Sequence, residues 1–316
     1  MSFTPTTKTA VGGEGVRPSS SRRSRTGREE YRTATLFLAL PLAIFAFLKL
    51  APDVANFYYA FTDWTSYHDS IKFVGLTNIS YMLQEGEILH SIQVTLIFAL
   101  VATVVQTALA LALALALEHN TRFNVLMRGV FFLPVLFSGL AAGYIFRGIL
   151  DPNGPLNHAL SLITGHTVGF PWLGDLTWTL CVVACLQAWK GFPVAMIVFV
   201  AGLTTVPDAL VESARVEGAN TWQVLRHVKI PLLAPAFTFN LVTTLIGALG
   251  AGVDILVATT NGGPGDATLN LGLFTLTRFG NGNFAEATAA QLILFIWISV
   301  FAIPAVILLR RREVAL

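Results

Sequence analysis

Lys190 and Asp254 stand inside long apolar runs and are the first places where this chain could do chemistry; Lys49, near the end of the first run, is expected to snorkel to the interface. Lys190 lies in Trp189-Lys-Gly-Phe-Pro193 and Asp254 in Gly252-Val-Asp-Ile-Leu256. A charge near the centre of a bilayer costs roughly 2.5–3.5 kcal/mol on insertion scales, so such residues pair, pack or line a watery path. Trp189, Phe192 and Asn240 are further candidates for lining that path, and Gly191-Phe192-Pro193 is expected to kink its helix and free carbonyls there. Elsewhere the reactive types are thinly spread. Cys181 and Cys185 share one helix face in an apolar run, without the further ligands a metal site needs. No G-x-x-x-x-G-K-[ST] segment occurs, so the chain lacks that route to ATP. No paired carboxylates or nucleophile constellation points to an enzyme.

The elements that must position these residues are membrane spans. Of the 316 residues 54% are hydrophobic and 12% charged, and the mean hydropathy is +0.66. Soluble domains carry about 25% charged residues. Runs this long and continuously apolar require helices rather than barrel strands. The expected fold is an all-α integral membrane protein of about six transmembrane helices, near 34–61, 90–117, 125–148, 176–203, 232–258 and 288–309. A basic, Ser- and Gly-rich tail over 1–31 precedes them and a short tail over 313–316 follows. The first run is too long for a signal peptide and is expected to stay uncleaved. Fifteen of the 20 lysines and arginines fall in the first tail, the second and fourth loops and the C-terminal end. The positive-inside rule then places both termini and the fourth loop in the cytoplasm. The basic cluster Arg22, Arg23, Arg25, Arg28 and Arg32 is expected to anchor that topology at the lipid surface rather than to bind nucleic acid.

The fourth loop, over 204–235, is a charged island with the marks of a folded element. Pro207 suits a first helical turn, and Asp208, Glu212 and Glu217 load that helix with negative charge. Gly218 stands where a left-handed helix end is needed. Thr221 is expected to cap a second helix from Trp222 to about Val228, with Arg226 and Lys229 at its C-terminal end and Pro231 as its stop. The apolar positions Leu210, Val211, Ala214, Val216, Trp222, Leu225 and Val228 pack either on the spans or into a partner's groove. The plainer alternative is an amphipathic hairpin lying on the membrane with no partner.

The segment Glu212-Ser-Ala-Arg-Val-Glu-Gly-Ala219, followed by Leu225, Ile230-Pro231 and Pro235, resembles the E-A-A–x–x–(D/E)-G-A motif of ABC-importer permease subunits. Flanking phrases are similar to the carbohydrate-uptake branch: Phe73-Val-Gly-Leu-Thr-Asn78, Arg128-Gly-Val-Phe-Phe-Leu-Pro134, Trp189 to Pro193, Ala201-Gly-Leu203 with Val206-Pro207, and Asn261-Gly-Gly-Pro264 with Ala267-Thr268. The resemblance covers roughly 32–312 and looks most like the first, maltose- or glycerol-phosphate-type permease. Ser213 stands where the family has alanine, and Glu217 replaces aspartate.

The resemblance implies a non-enzymatic permease that binds no cofactor itself. It would pair with a second permease subunit, two copies of a cytoplasmic ATPase that use ATP and Mg, and an extracellular or periplasmic binding protein. The host would be the cytoplasmic membrane of a bacterium or archaeon. The island would be the coupling helix, with Glu212, Ser213, Ala214, Glu217, Gly218, Ala219, Trp222, Leu225 and Pro231 facing or shaping the ATPase contact. A sugar-class substrate would pass near Trp189, Lys190, Phe192, Asn240, Leu249, Gly252 and Asp254, where aromatic faces suit a sugar ring. Around Leu249 to Gly252 the polar positions that hold sugar in maltose-type relatives are apolar or glycine here. A stand-alone secondary transporter or channel is the alternative.

Overall fold

The computed structural model describes Thr35 and residues 37–310, without the side chains of Ala251, Leu309 and Arg310. The two expected tails, 1–31 and 313–316, and the Arg22 to Arg32 cluster lie outside the described residues. The chain divides into a unit ending at Ala55 and a larger one from Asn56 onward, each described by itself.

Among the described residues the elements are helices. The first span, α1 (Phe37–Tyr59), straddles the division and contains a π-turn at Ala46–Leu50. Then follow α2 (Thr77–Glu85), α3 (Glu87–Ala116), α4 (Arg122–Phe132), α5 (Gly139–Ile149), α6 (Pro155–Thr164) and α7 (Thr179–Thr204). The polar island supplies α8 (Asp208–Val216) and α9 (Thr221–Leu232). The remainder is α10 (Ala234–Ala251), α11 (Val253–Thr259), α12 (Leu271–Gly280) and α13 (Phe284–Arg310).

Four of these helices are long and apolar enough to cross a membrane: α1, α3, α7 and α13. The count reaches six only if two bent pairs are each one span. The expected straight span over 125–148 is broken. A 3-10 turn, Leu133–Leu136, follows α4, and α5 leaves at 96°. Ser138 restarts the helix by accepting the Ala141 N–H at 3.1 Å. The second bent pair is α9 and α10, which meet at 69°, so the expected span over 232–258 starts at that bend and runs through α10 and, past an interruption at Gly252, α11. Hydropathy along both stretches is unbroken, because bending changes hydrogen bonding and not side-chain polarity.

The core is built where α3 and α7 lie together. Ala99, Ala102, Ala110 and Ala114 on α3 and Ala184, Ala188 and Ala195 on α7 are all buried. Small side chains let membrane helices approach closely, which gives dispersion contacts that lipid cannot match. One cluster joins Phe98, Val183, Leu249 and Leu256 across α3, α7, α10 and α11. A second joins Phe192, Met196, Phe199 and Leu233 near the island. At the other end Arg278 fastens α12 to its neighbours: it pairs with Glu87, reaches Glu286 at 3.3 Å and Glu85 at 3.7 Å, and stacks over Phe274 at 4.9 Å.

Candidate functional site

The island folds into an elbow closed by its own hydrogen bonds. Pro207 is the N-cap of α8 rather than part of its first turn, and Asp208 leads the helix. At the far end Gly218 has φ +90°. Its N–H reaches the Arg215 carbonyl at 3.0 Å, and the Ala219 N–H reaches Ala214 at 3.0 Å. These are the two bonds of a Schellman ending, which satisfies the last carbonyls of α8. The next helix is capped by Asn220, not by Thr221. Asn220 Oδ1 accepts the Gln223 N–H at 2.9 Å, and Gln223 Oε1 accepts the Asn220 N–H at 2.8 Å. Such a capping box satisfies two orphan donors at once.

Pro231 does not stop α9. The helix widens into a π-turn over Leu225–Lys229 and continues through Pro231 to Leu232. The wider turn shifts the hydrogen-bond register, so a residue without an N–H is tolerated where an α-helix would break.

A contact that sequence reasoning missed ties this elbow to the spans. Lys229 Nζ holds Glu118 at 2.6 and 2.7 Å, just beyond the end of α3. Arg128 on α4 pins the same turn, donating to the carbonyls of Leu117 and Glu118 and to Asn120 Oδ1. The available signal was a lone carboxylate directly after a 30-residue apolar helix, with the lysine at the mirror position of another span. Replacing Lys229 by methionine leaves Glu118 partly buried without its cation. We expect the elbow to loosen and the purified protein to lose about 1–3 kcal/mol of stability, read as a lowered melting temperature.

The elbow presents more than it buries. Val224 is buried, but Val216 is 88% and Trp222 64% exposed. Glu212 and Ser213 are exposed, Leu225 is half-buried and Pro231 is exposed. Two cavities open between α8 and α9, of about 400 Å³ and about 350 Å³. Ala214, Glu217, His227 and Val228 line both, Gly218 and Ala219 the first, and Ser213 the second. The structure thus brings Ser213, Ala214, Glu217, Gly218 and Ala219 to the cleft between α8 and α9 together with His227, while Glu212, Trp222, Leu225 and Pro231 line neither cavity.

The intramembrane candidates separate. Among the described residues Lys190 and Asp254 take no part in any ion pair, so the expected pairing option is not realised. Lys190 is half-buried on α7, while Asp254 is exposed and packs against Gly139 at the start of α5. Trp189 stands edge-on to Phe146 at 4.9 Å. Phe192 and Leu249 are core residues, at 3% and 1% exposure. Asn240 donates from Nδ2 to the Ala195 carbonyl at 3.1 Å, a tie between α10 and α7. Gly252 admits the Phe98 ring, which lies 2.5 Å from where a Cβ would stand. The helix α7 runs unbroken through Pro193. Beside Gly191 the side chain of Gln106 fills the space a Cβ would need and donates to Thr244 Oγ1 at 2.8 Å. Such interhelical bonds contribute about 0.6 kcal/mol each on average.

Among the described residues the chain is a bundle of helices, four to six of them candidate membrane spans, with a polar elbow between α7 and α10, which defines a multi-pass membrane protein. Residues 106–313, more than half the chain, match the family described as binding-protein-dependent transport system inner membrane component, and the chain belongs to that family. It is 31% identical to the probable starch degradation products transport system permease protein AmyD of Thermoanaerobacterium thermosulfurigenes over 282 residues, covering 88% of this chain and 94% of the relative. It is 28% identical to the multiple sugar-binding transport system permease protein MsmF of Streptococcus mutans over 280 residues, 88% of this chain and 95% of the relative. Its fold is similar to that of a chain in the bacterial alginate ABC transporter solved in complex with an alginate pentasaccharide-bound periplasmic protein, with a TM-score of 0.75, 21% identity and coverage of 89% and 96%. The protein is a permease subunit of an ABC importer.

Proposed function

We propose that this permease carries a sugar or sugar-like solute as one half of a heterodimeric pathway. A binding protein delivers the solute on one side, and two copies of an ATPase, using ATP and Mg, drive alternating access from the cytoplasm. The observation that supports this reading most is the elbow. A lever held by a Schellman ending, a capping box and the Lys229–Glu118 pair is too stiff for a connector, and its largest apolar side chains face outward. In this reading the elbow and both termini are cytoplasmic, the translocation unit covers 32–312, and Glu212 meets a basic residue of the ATPase. Sugar as the cargo class is supported by the names of AmyD and MsmF.

The complex purified in mild detergent should contain a soluble ATPase whose Mg-dependent hydrolysis rises when loaded binding protein is added. Solute uptake into liposomes by this chain alone, driven by a proton or sodium gradient, would overturn the proposal in favour of a secondary transporter.

A further inference from the structure

At the end of α7 opposite the elbow lies a cavity of about 360 Å³ that no part of the coupling argument uses. Its walls come from three separate segments: the end of α5 with the turn after it, the 171–174 loop, and the turn after α11. Arg147 and Asp151 both line it, with Pro171, Leu173, Thr260 and Pro264.

The walls are built, not incidental. Asn157, only 1% exposed, donates from Nδ2 to the carbonyls of Pro152 at 3.1 Å and Phe170 at 2.9 Å, and its Oδ1 accepts the Trp172 indole N–H at 2.9 Å. One buried amide thereby joins the Asp151 turn to the 171–174 loop. On the facing wall the buried Thr268 hydroxyl donates to the Gly263 carbonyl at 2.8 Å and contacts the Thr260 hydroxyl at 2.7 Å. These bonds hold the Pro264 turn.

Arg147 and Asp151 are both exposed, at the open side of the cavity, where a ligand can reach them. Among the described residues Arg147 has neither hydrogen bond nor ion pair. One Asp151 oxygen accepts the Asn153 N–H at 2.9 Å, and the other has no partner. The guanidinium and the carboxylate line the same cavity yet do not bridge. An anion would meet the carboxylate and a cation the guanidinium. A neutral polyol satisfies both, since each hydroxyl donates to one group and accepts from the other. Pro171, Leu173 and Pro264 supply apolar surface for the C–H face of a ring. The volume lies at the low end of the roughly 300–1,000 Å³ of small-molecule sites, which suits one or two sugar units.

We infer that this cavity is a subsite for a neutral sugar unit at the mouth of the pathway, separate from the intramembrane residues. The inference rests on the sugar-importer reading above. The test uses the assembled importer in lipid nanodiscs, without binding protein and without ATP. Saturation-transfer NMR is recorded with maltose, trehalose and sodium glucuronate as probes. At least one neutral disaccharide should show ring-proton transfer. Arg147→Gln and Asp151→Asn should each weaken that binding by about tenfold, the loss of one charged hydrogen-bonding partner. Arg147 has no partner to lose, so its variant should fold, and an unchanged melting temperature checks this.

No transfer from either disaccharide overturns the inference, as does transfer that both variants leave unchanged. Stronger transfer from glucuronate than from the neutral sugars also overturns it. A separate assay with loaded binding protein and ATP also bears on it: variants that lose only binding-protein-stimulated ATP hydrolysis, with sugar transfer unchanged, overturn the inference and assign the cavity to protein docking. The importer reading fails separately, by the absence of ATP-driven uptake, which the NMR measurement does not use.

Discussion

Gly218→Val is expected to reach the membrane in normal amounts and to lose its ATPase. A Cβ at this glycine meets nothing within 4 Å, so the effect cannot be a clash. It comes from the backbone alone. At φ +90° an L side chain costs about 1–2 kcal/mol, and a β-branched one is worse. The chain relieves that strain by rotating out of the Schellman ending, which swings α9 away from α8 and dismantles both cavities between them. Glu212→Lys acts on the same contact by a different route. It leaves the elbow folded and reverses an exposed charge; where the partner charge is buried on assembly, the loss is about 2–5 kcal/mol. Each variant should lower co-purified ATPase by about tenfold or more, Glu212→Lys with the monomer's melting temperature kept and Gly218→Val with a modest fall in it. Retention of a full complement of ATPase by both would sink the coupling role of this elbow. An acidic-for-basic exchange on the ATPase should rescue Glu212→Lys and not Gly218→Val.

The second large effect belongs to packing. Gly143→Leu should abolish monodisperse protein in detergent. A Cβ there stands 2.5 Å from the Ala258 Cβ and 3.2 Å from the Ile255 carbonyl oxygen, so the obstacle includes backbone. Overpacking of this kind costs about 1–3 kcal/mol even for small insertions, against a typical total of about 5–15 kcal/mol. Separation of α5 from α11 also disturbs the helix interruption at Gly252. Gly247→Ala is the contrasting case. It too lies in an apolar helix, but nothing stands within 4 Å of its added methyl group. It should be neutral or stabilising by up to about 1 kcal/mol. Fluorescence-detected size exclusion and thermal melting distinguish the two, and equal behaviour would refute the assigned α5–α11 contact.

Gly143 and Gly247 also show what a sequence discloses here. Each sits among Ala, Leu and Ile, and nothing local says which faces a neighbouring helix. Hydropathy reports the solvent a segment prefers, so the membrane class and four of the spans were legible. It does not report direction, so the 96° turn at Phe137–Ser138 was not. On the island the residue types disclosed a helix, a turn at Gly218 and a second helix. They did not decide between neighbours: Asn220 and Thr221 are both capable caps, and only the extended backbone of Asn220, ψ 169°, settles which one serves. Proline rules assume α-helical bonding, and the π-turn before Pro231 suspends that assumption. For the pathway candidates, residue type does not disclose what a side chain packs against. Asn240 is polar because it ties two helices, and Leu249 is core. Glu118 was passed over because its meaning depends on Lys229, 111 residues away.

The outward-facing Val216 and Trp222 have a bearing on the life of the protein before it works. Exposed apolar groups of this size, held on a stiff support, cannot fold back to hide themselves, and they favour association with whatever apolar surface comes first. On the coupling reading proposed above, a newly made copy keeps these two side chains exposed until assembly covers them. The elbow would then double as a birthmark of the unfinished complex, open to quality control while the subunit is alone and hidden once a partner is seated.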